Sequence, residues 1–117
     1  MLSKANRLQT DQDYLNLIKR GRFIRSGYFN LRYLANKTNT SRFGFVISTK
    51  VDKRAVVRNL LKRRLRAIIR ASLPMIIPGF DVMIVARNEA LKLDYPAIRQ
   101  DILVLLDKAR IFKANVH

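Results

Sequence analysis

The middle of the chain, residues 53–72, carries two side-chain patterns with the same helical period. In an α-helix, residues three and four positions apart lie on one side, so a repeat at that spacing defines a stripe. The apolar stripe is Val57, Leu61, Leu65, Ile68 and Ile69, and the basic stripe is Arg58, Lys62, Arg66 and Arg70, with Asn59 and Arg63 in the same basic arc. The pattern predicts a helix that packs one side on a core and presents positive charge on another.

The positive charge in this region is almost uncompensated. Nine basic residues and one acid, Asp52, lie between positions 50 and 70. Like charges one turn apart destabilise an isolated helix by a few tenths of a kcal/mol per pair, so the stripe indicates an anionic partner. A solvated helix face is a second interpretation, although such faces usually mix both signs. A helix lying on a membrane is a third, but the apolar stripe has no Trp or Phe to anchor it.

The whole chain is basic, and its charge is uneven. The net charge is +16, from 24 Lys and Arg against 8 Asp and Glu, which favours a nucleic-acid partner. Residues 1–77 hold 18 basic and 3 acidic side chains, so the binding surface is expected there. With 117 residues, 49% of them hydrophobic, the chain is long enough for one core and too apolar for a disordered tail. We therefore expect a single domain over residues 1–117.

Several classes of protein are disfavoured by composition. The chain has no cysteine and one histidine, His117, so a disulfide framework or a thiolate metal site is excluded. His117 is the last residue and is interpreted as part of a tail. No segment approaches the roughly 20 apolar residues of a membrane span, and the first residues lack the apolar stretch of a secretory signal. We expect a cytoplasmic protein that does not interact with a membrane.

The remaining segments predict a small sheet flanked by helices. A capping pair, Thr10 and Asp13, favours a helix at about residues 10–20. Alternating apolar residues favour strands at residues 28–34 and 42–50, paired as a hairpin through a turn at 36–41, and a third strand at 79–87. Asp94 is a plausible N-cap for a last helix. The expected fold is an α+β sandwich with the order α-β-β-α-β-α.

Candidate chemistry outside the basic helix is sparse. A two-metal nuclease needs clustered carboxylates, but the acids of this chain are scattered along the sequence, and Asp81 on the third predicted strand is the strongest single candidate. Half or more of the strand aromatics are expected to face the core. Six aromatics include the candidates for stacking on unpaired bases: Tyr14, Tyr28, Phe29, Tyr33, Phe43 and Phe45.

Residues 42–70 resemble the signature region of the bacterial ribonuclease P protein subunit. The matching residues are Arg58, Asn59, Lys62, Arg63 and Arg66, after a strand that ends in Ser48, Thr49 and Lys50. Residues 6–8, 13–14 and 19–21 resemble the opening helix of the family, and residues 79–82 and 86–87 resemble its late strand. The sequence departs from the family pattern at Leu60, where an arginine is usual, at Ala67, where an acid is common, and at Ile18, where a second aromatic is usual.

The resemblance implies a ribosomal-protein-S5-domain-2-like fold with a left-handed crossover between its parallel strands. It also implies the accessory subunit of an endoribonuclease, in which a partner RNA holds the catalytic site and its Mg²⁺. The enzyme removes the 5′ leader of precursor tRNA. No catalytic residue, metal or cofactor is expected in the protein alone. The free protein is expected to be an RNA-binding monomer that joins one ribonuclease P RNA.

Two surfaces are implied by the same resemblance. The face toward the catalytic RNA would comprise Lys53, Arg54, Arg58, Asn59, Lys62, Arg63, Arg66 and Arg70. The cleft for the single-stranded leader would comprise Tyr14, Ile18, Phe29, Arg32 and Lys50. A different structured-RNA binder, such as a ribosomal protein, remains the alternative on charge alone. A protein-only nuclease built on Asp81 is a third hypothesis.

Overall fold

A computed structural model describes residues 2–113 of the chain. Three α-helices and four strands follow one another along these residues, with short 3-10 turns between some of them. They are α1 (Asp11–Arg20), β1 (Arg22–Arg25), β2 (Phe29–Ala35), β3 (Arg42–Val46), α2 (Ala55–Ser72), β4 (Phe80–Ala86) and α3 (Tyr95–Lys108). The α+β class is confirmed. His117 lies outside the described residues.

The helices begin where the sequence predicts. The Thr10 hydroxyl accepts a hydrogen bond from the Asp13 backbone N–H at 3.1 Å, and the Asp13 carboxylate accepts one from the Thr10 N–H at 3.2 Å. This reciprocal pair satisfies two of the N–H groups that open a helix. The Asp94 carboxylate caps α3 by accepting from the Ala97 N–H at 3.0 Å. On α2, the residues Leu61, Leu65, Ile68 and Ile69 of the apolar stripe are buried.

The strand order differs from the predicted hairpin. The four strands lie in the order β1-β2-β4-β3, and β4 pairs antiparallel with β2 and parallel with β3. The predicted direct pairing of residues 28–34 with 42–50 is therefore wrong. Instead of closing a tight turn, the connection after β2 bonds to the start of β4: the Asn36 N–H donates to the Gly79 carbonyl at 2.8 Å. The unit β3–α2–β4 is the crossover between parallel strands, and its handedness stays a prediction.

One strand was missed, and another is shorter than expected. Strand β1 carries an alternation too weak to see in the sequence, because only Ile24 of its four residues is partly buried. It pairs with β2 and forms an edge of the sheet. Strand β3 ends at Val46, after which the Val51 N–H bonds to the Ser48 carbonyl in a turn. The observed order of helices and strands is α-β-β-β-α-β-α.

Each face of the sheet packs against different helices. We call the face covered by α2 and α3 the inner face; Phe29, Leu31, Phe43, Val82 and Ile84 on it are buried in one cluster with residues of both helices. The opposite, outer face is covered by α1. Leu17 of α1 is fully buried there with Leu8 and Met83. Because strand side chains alternate, the inner and outer faces are built from interleaved residues of the same strands.

An ion-pair network ties α1 to the sheet. The guanidinium of Arg42 on β3 donates to both carboxylate oxygens of Asp81 on β4, at 2.9 and 2.7 Å, and to the Asp13 carboxylate on α1 at 3.3 and 3.4 Å. The Asn36 side-chain amide donates to Asp81 at 2.8 Å. Asp81 is 8% exposed, so its charge depends on these partners. These contacts give the Asp81 carboxylate a structural role.

Replacing Arg42 with methionine should destabilise the fold by about 2–3 kcal/mol, because the buried Asp81 carboxylate would lose its cation. The loss should fall below the roughly 3–5 kcal/mol found for fully buried pairs, since 32% of the Arg42 side chain is exposed. Urea unfolding measures it. Arg99→Met, which removes an exposed arginine from α3, is the matched control. Equal stabilities of the two variants would contradict the assigned role.

Candidate nucleic-acid interface

The basic face of α2 is accessible along its whole length. None of the eight residues assigned to it from the sequence is buried, and Lys53, Arg54, Asn59, Arg63 and Arg70 are exposed. The other three, Arg58, Lys62 and Arg66, are half-buried on the flank of the helix. Arg58 also has a structural role, because its guanidinium donates to the Asp52 and Lys53 carbonyls at 2.9 and 2.8 Å. It holds the loop that enters α2.

The acid in this region, Asp52, organises the same loop. Its carboxylate accepts hydrogen bonds from the Arg54 backbone N–H at 2.8 Å and from the Arg54 guanidinium at 3.1 and 2.9 Å. The side-chain hydrogen bonds of Arg54, followed by its backbone N–H, lower the pKa of Asp52 to about 2. Asp52 therefore stays ionised under all ordinary conditions. It offsets one positive charge of the interface and fixes the position of another.

A groove remains open on the outer face of the sheet beside α1. Residues paired across neighbouring strands form rows on this face. Helix α1 covers the row of Leu34, Asp81 and Arg42, where Asp13 contacts Arg42. It also covers the next row, which contains Met83 and Gly44. The following row crosses all four strands, and its members are Arg25, Asn30, Val85 and Val46. None of these four side chains is buried. With strands about 4.8 Å apart, the row forms a groove floor about 14 Å long.

Tyr14 forms the wall of this groove nearest to α2. Its ring lies against Gly44 of β3, where even one added Cβ atom would collide with the phenol. Burial, and then the neighbouring Asp13 carboxylate, raise the pKa of the Tyr14 phenol, whereas Arg66 of α2 acts in the opposite direction. Arg66 is thus close enough to affect Tyr14. Tyr14 is therefore the groove residue on which a cation of the basic face acts.

The far end of the groove contains an aromatic residue that the sequence reading missed. Phe23 on β1 is 48% exposed and pairs in register with Arg32 on β2, whose guanidinium carbon lies 4.9 Å from the centroid of the ring. Arg32 also donates to the Ile18 carbonyl of α1 at 3.5 Å, and Ile18 is 50% exposed. An aromatic between basic residues, as in the segment Arg22–Arg25, was the signal available in the sequence.

The proposed cleft residues do not all meet. Tyr14, Ile18 and Arg32 lie on α1 and on the outer face of the sheet, around the groove. Phe29 is fully buried among the inner-face residues, so its assignment to the cleft is wrong. The two β2 residues Phe29 and Arg32 are three positions apart, and side-chain alternation puts them on opposite faces. Lys50 is exposed in the turn after β3.

Other chemistry has little support in residues 2–113. No group of three or more His, Cys, Asp or Glu side chains is arranged to hold a metal ion in this part of the chain. Asp81, the strongest nuclease candidate, is engaged with Arg42 and Asn36. Over the same residues, no helix has the length and apolar character required to cross a membrane.

Comparison with known proteins identifies the family. The family model described as Ribonuclease P matches residues 2–110. This chain belongs to the ribonuclease P protein family. The ribonuclease P protein component of Cyanothece sp. is 38% identical over 95% of this chain and 97% of that protein. The component of Syntrophomonas wolfei is 31% identical over 100% and 98% of the two chains.

Solved structures agree with the family and with the fold. The RNase P protein of Staphylococcus aureus superposes with a TM-score of 0.87 and 26% identity, over 94% of this chain and 100% of that one. The RNase P protein of Thermotoga maritima gives a TM-score of 0.79 and 32% identity, over 87% and 96%. As a ribonuclease P protein component, the chain takes part in endoribonucleolytic tRNA processing as the partner of a ribonuclease P RNA.

Arg54→Ala should raise the pKa of Asp52 from about 2 toward its ordinary value of 3.8, because the carboxylate loses its side-chain donors. In the parent protein the depressed pKa stabilises the folded state above pH 3.8, and this contribution is lost as the pH falls toward 2. NMR titration of the Asp52 carboxyl carbon measures both values. Arg63→Ala removes a charge without touching Asp52, and an equal shift in that variant would show a general field effect.

Proposed function

We propose that this chain binds both the ribonuclease P RNA and the 5′ leader of precursor tRNA, and so assists removal of the leader. The observation that carries the proposal is the presence of two different surfaces on one small domain. One is the basic face of α2, with exposed arginines suited to phosphates. The other is the groove, with Tyr14 at one end and the pair of Phe23 and Arg32 at the other.

The two surfaces suit different forms of RNA. A helix face of fixed cations matches the regularly spaced phosphates of a folded RNA, and gives affinity without reading sequence. The groove has a partly apolar floor with aromatic and basic ends, which suits an unpaired strand whose bases stack. The leader of a precursor tRNA is such a strand. The mature tRNA lacks it, so the groove would favour precursor over product.

In this proposal the catalytic site and its Mg²⁺ belong to the RNA partner. The carboxylates that metal-dependent cleavage needs are not grouped among residues 2–113. The protein contributes binding energy and orientation, acting as a cytoplasmic monomer with one protein for each RNA. A protein-only nuclease is disfavoured because Asp81 is occupied by Arg42.

The deciding experiment measures the rate at which a bacterial ribonuclease P RNA removes a precursor-tRNA leader at low Mg²⁺, with and without this protein. Stimulation is expected, together with tighter binding of precursor than of mature tRNA. Tight RNA binding without stimulation would contradict the proposed role in leader removal.

Replacing Lys62, Arg63 and Arg66 with glutamine should weaken binding to ribonuclease P RNA and flatten its salt dependence. Each phosphate contact contributes roughly one unit to the slope of log K against log salt, so the slope should fall by about three. Arg58 is left in place because it holds the entry loop. The control is Lys4→Gln, Lys92→Gln and Arg99→Gln, which removes the same charge from other exposed positions. Matching slopes for the two triple variants would sink the assignment of this face.

Phe23→Ala should reduce the preference for precursor over mature tRNA several-fold, since base stacking contributes about 1–3 kcal/mol per base. Phe23→Tyr should restore the preference. Met75→Ala is a control of similar exposure, 49% against 48%, on the segment after α2. Affinities for both RNAs in the reconstituted enzyme provide the measurement. An unchanged preference in Phe23→Ala would remove this residue from the groove site.

A further inference from the structure

A second cleft opens where α1 and α3 end, on the side of β1 away from the groove. Its volume is about 560 Å³, within the range of small-ligand sites. The floor is formed by residues of β2, β4 and the end of α3: Tyr33, Leu34, Ala35, Phe80 and Ala109. The rim consists of four cations, Arg20, Arg22, Lys108 and Arg110, all of them exposed.

The charge around this cleft has little compensation. No acidic residue is among those that line it, and Asp107, the nearest acid in sequence, lines a neighbouring cavity. The ion pairs found within residues 2–113 join Arg42 and Arg54 to acids elsewhere, so the rim cations take part in none of them. The C-terminal ends of α1 and α3 contribute about half a negative charge each. Together they offset roughly one of the four positive charges.

Arg110 occupies a backbone position that disfavours an arginine. Its φ is +59°, in the left-handed region, and the Ile111 N–H bonds back to the Leu106 carbonyl at 3.1 Å. This is the residue after the helix cap, where glycine is usual because it has no Cβ. An L-residue with a side chain pays about 1 kcal/mol there. A glycine would avoid this strain, and the arginine found here instead adds a fourth cation to the rim of the cleft.

We propose that this cleft binds phosphate groups of single-stranded RNA, with a base placed against the Tyr33 and Phe80 floor. The identification of the polymer as RNA rests on the proposed function, whereas the phosphate site rests on the rim cations and on Arg110. Arg22 and Phe23 are neighbours on the edge strand and lie on opposite faces of the sheet. A strand that leaves the groove past Phe23 has only β1 to cross before it reaches Arg22.

The first test uses inorganic pyrophosphate and NMR on the full chain. In the parent protein, pyrophosphate should shift the amide signals of Tyr33, Ala35 and Ala109, and Arg110→Gly should weaken this binding about tenfold. The matched control is Lys37→Gly. Lys37 is a second basic residue at positive φ, +61°, and it lies in the connection after β2 and does not line the cleft. Both substitutions remove one charge and relieve the same strain, so both should keep or raise the melting temperature. Only Arg110→Gly should lose the pyrophosphate shifts.

Two results would overturn the proposal. One is movement of α2 amides alone on addition of pyrophosphate. The other is a lower melting temperature for Arg110→Gly than for Lys37→Gly, which would make Arg110 a structural residue. These readouts need no catalytic RNA. If the chain failed to bind ribonuclease P RNA, the proposed function would be wrong. The pyrophosphate experiment would still show whether the cleft binds phosphate groups.

Binding measurements on the reconstituted enzyme show which RNA supplies the phosphate. Precursors with a long leader and with a leader of one nucleotide are compared for binding to enzyme that contains the parent protein or Arg110→Gly. A several-fold loss confined to the long leader identifies the leader as the ligand. If binding weakens equally for both precursors, and the salt slope for binding the catalytic RNA falls by about one unit, the catalytic RNA is the ligand of the cleft. No loss relative to Lys37→Gly in either case overturns the use of the cleft for RNA.

Discussion

The position of α1 depends on Arg42, and the groove exists because of that position. One guanidinium satisfies the buried Asp81 of the sheet and reaches Asp13 in the first turn of α1. Asp13 in turn closes the capping box with Thr10, so the start of the helix and its attachment to the sheet share one carboxylate. Burial acts to raise the pKa of Asp13, but the hydrogen bonds from Thr10 and Gln9 outweigh it, so the pKa lies below its ordinary value. The helix is thereby held over one half of the outer face and leaves the other half open.

The basic face of α2 is supported in a similar way by contacts that do not involve RNA. Arg58 and Arg54 are engaged with the loop through Asp52 and through backbone carbonyls, which fixes where the helix begins. The remaining cations have no such partners among the described residues. Two kinds of basic residue thus occur side by side, those that build the surface and those that are left for a ligand. Sequence alone does not separate them, because their spacing is the same.

Much of the fold follows from local signals in the sequence. The capping pair at Thr10 and Asp13, the stripe of α2 and the Asp94 cap place all three helices, and alternation places three of the strands. The pairing of those strands was not predictable in this way. The insertion of β4 between β2 and β3 depends on contacts such as that of Asn36 with Gly79, which are distant in sequence. Strand β1 escaped notice because an edge strand need not alternate.

The part of the site that lies on one helix was predicted, because its basic residues recur with the helical period. The part that combines residues distant in sequence was predicted incompletely. The eight residues of the α2 face follow from one helix, whereas the groove combines α1 with several strands. Phe29 was assigned to the groove by position in the chain, although alternation already separates it from Arg32. Phe23 gains its significance from Arg32 and Ile18, which reach it only in the folded protein.

The central place of β4 has a consequence for synthesis of the chain. It is the last strand to leave the ribosome, yet both β2 and β3 must pair with it. The sheet therefore cannot close until residues 80–86 have emerged, and by then all of α2 has already been translated. Non-local pairing of this kind is slow compared with the formation of a helix. The basic segment of α2 is consequently available to nucleic acid before the core that will support it has formed.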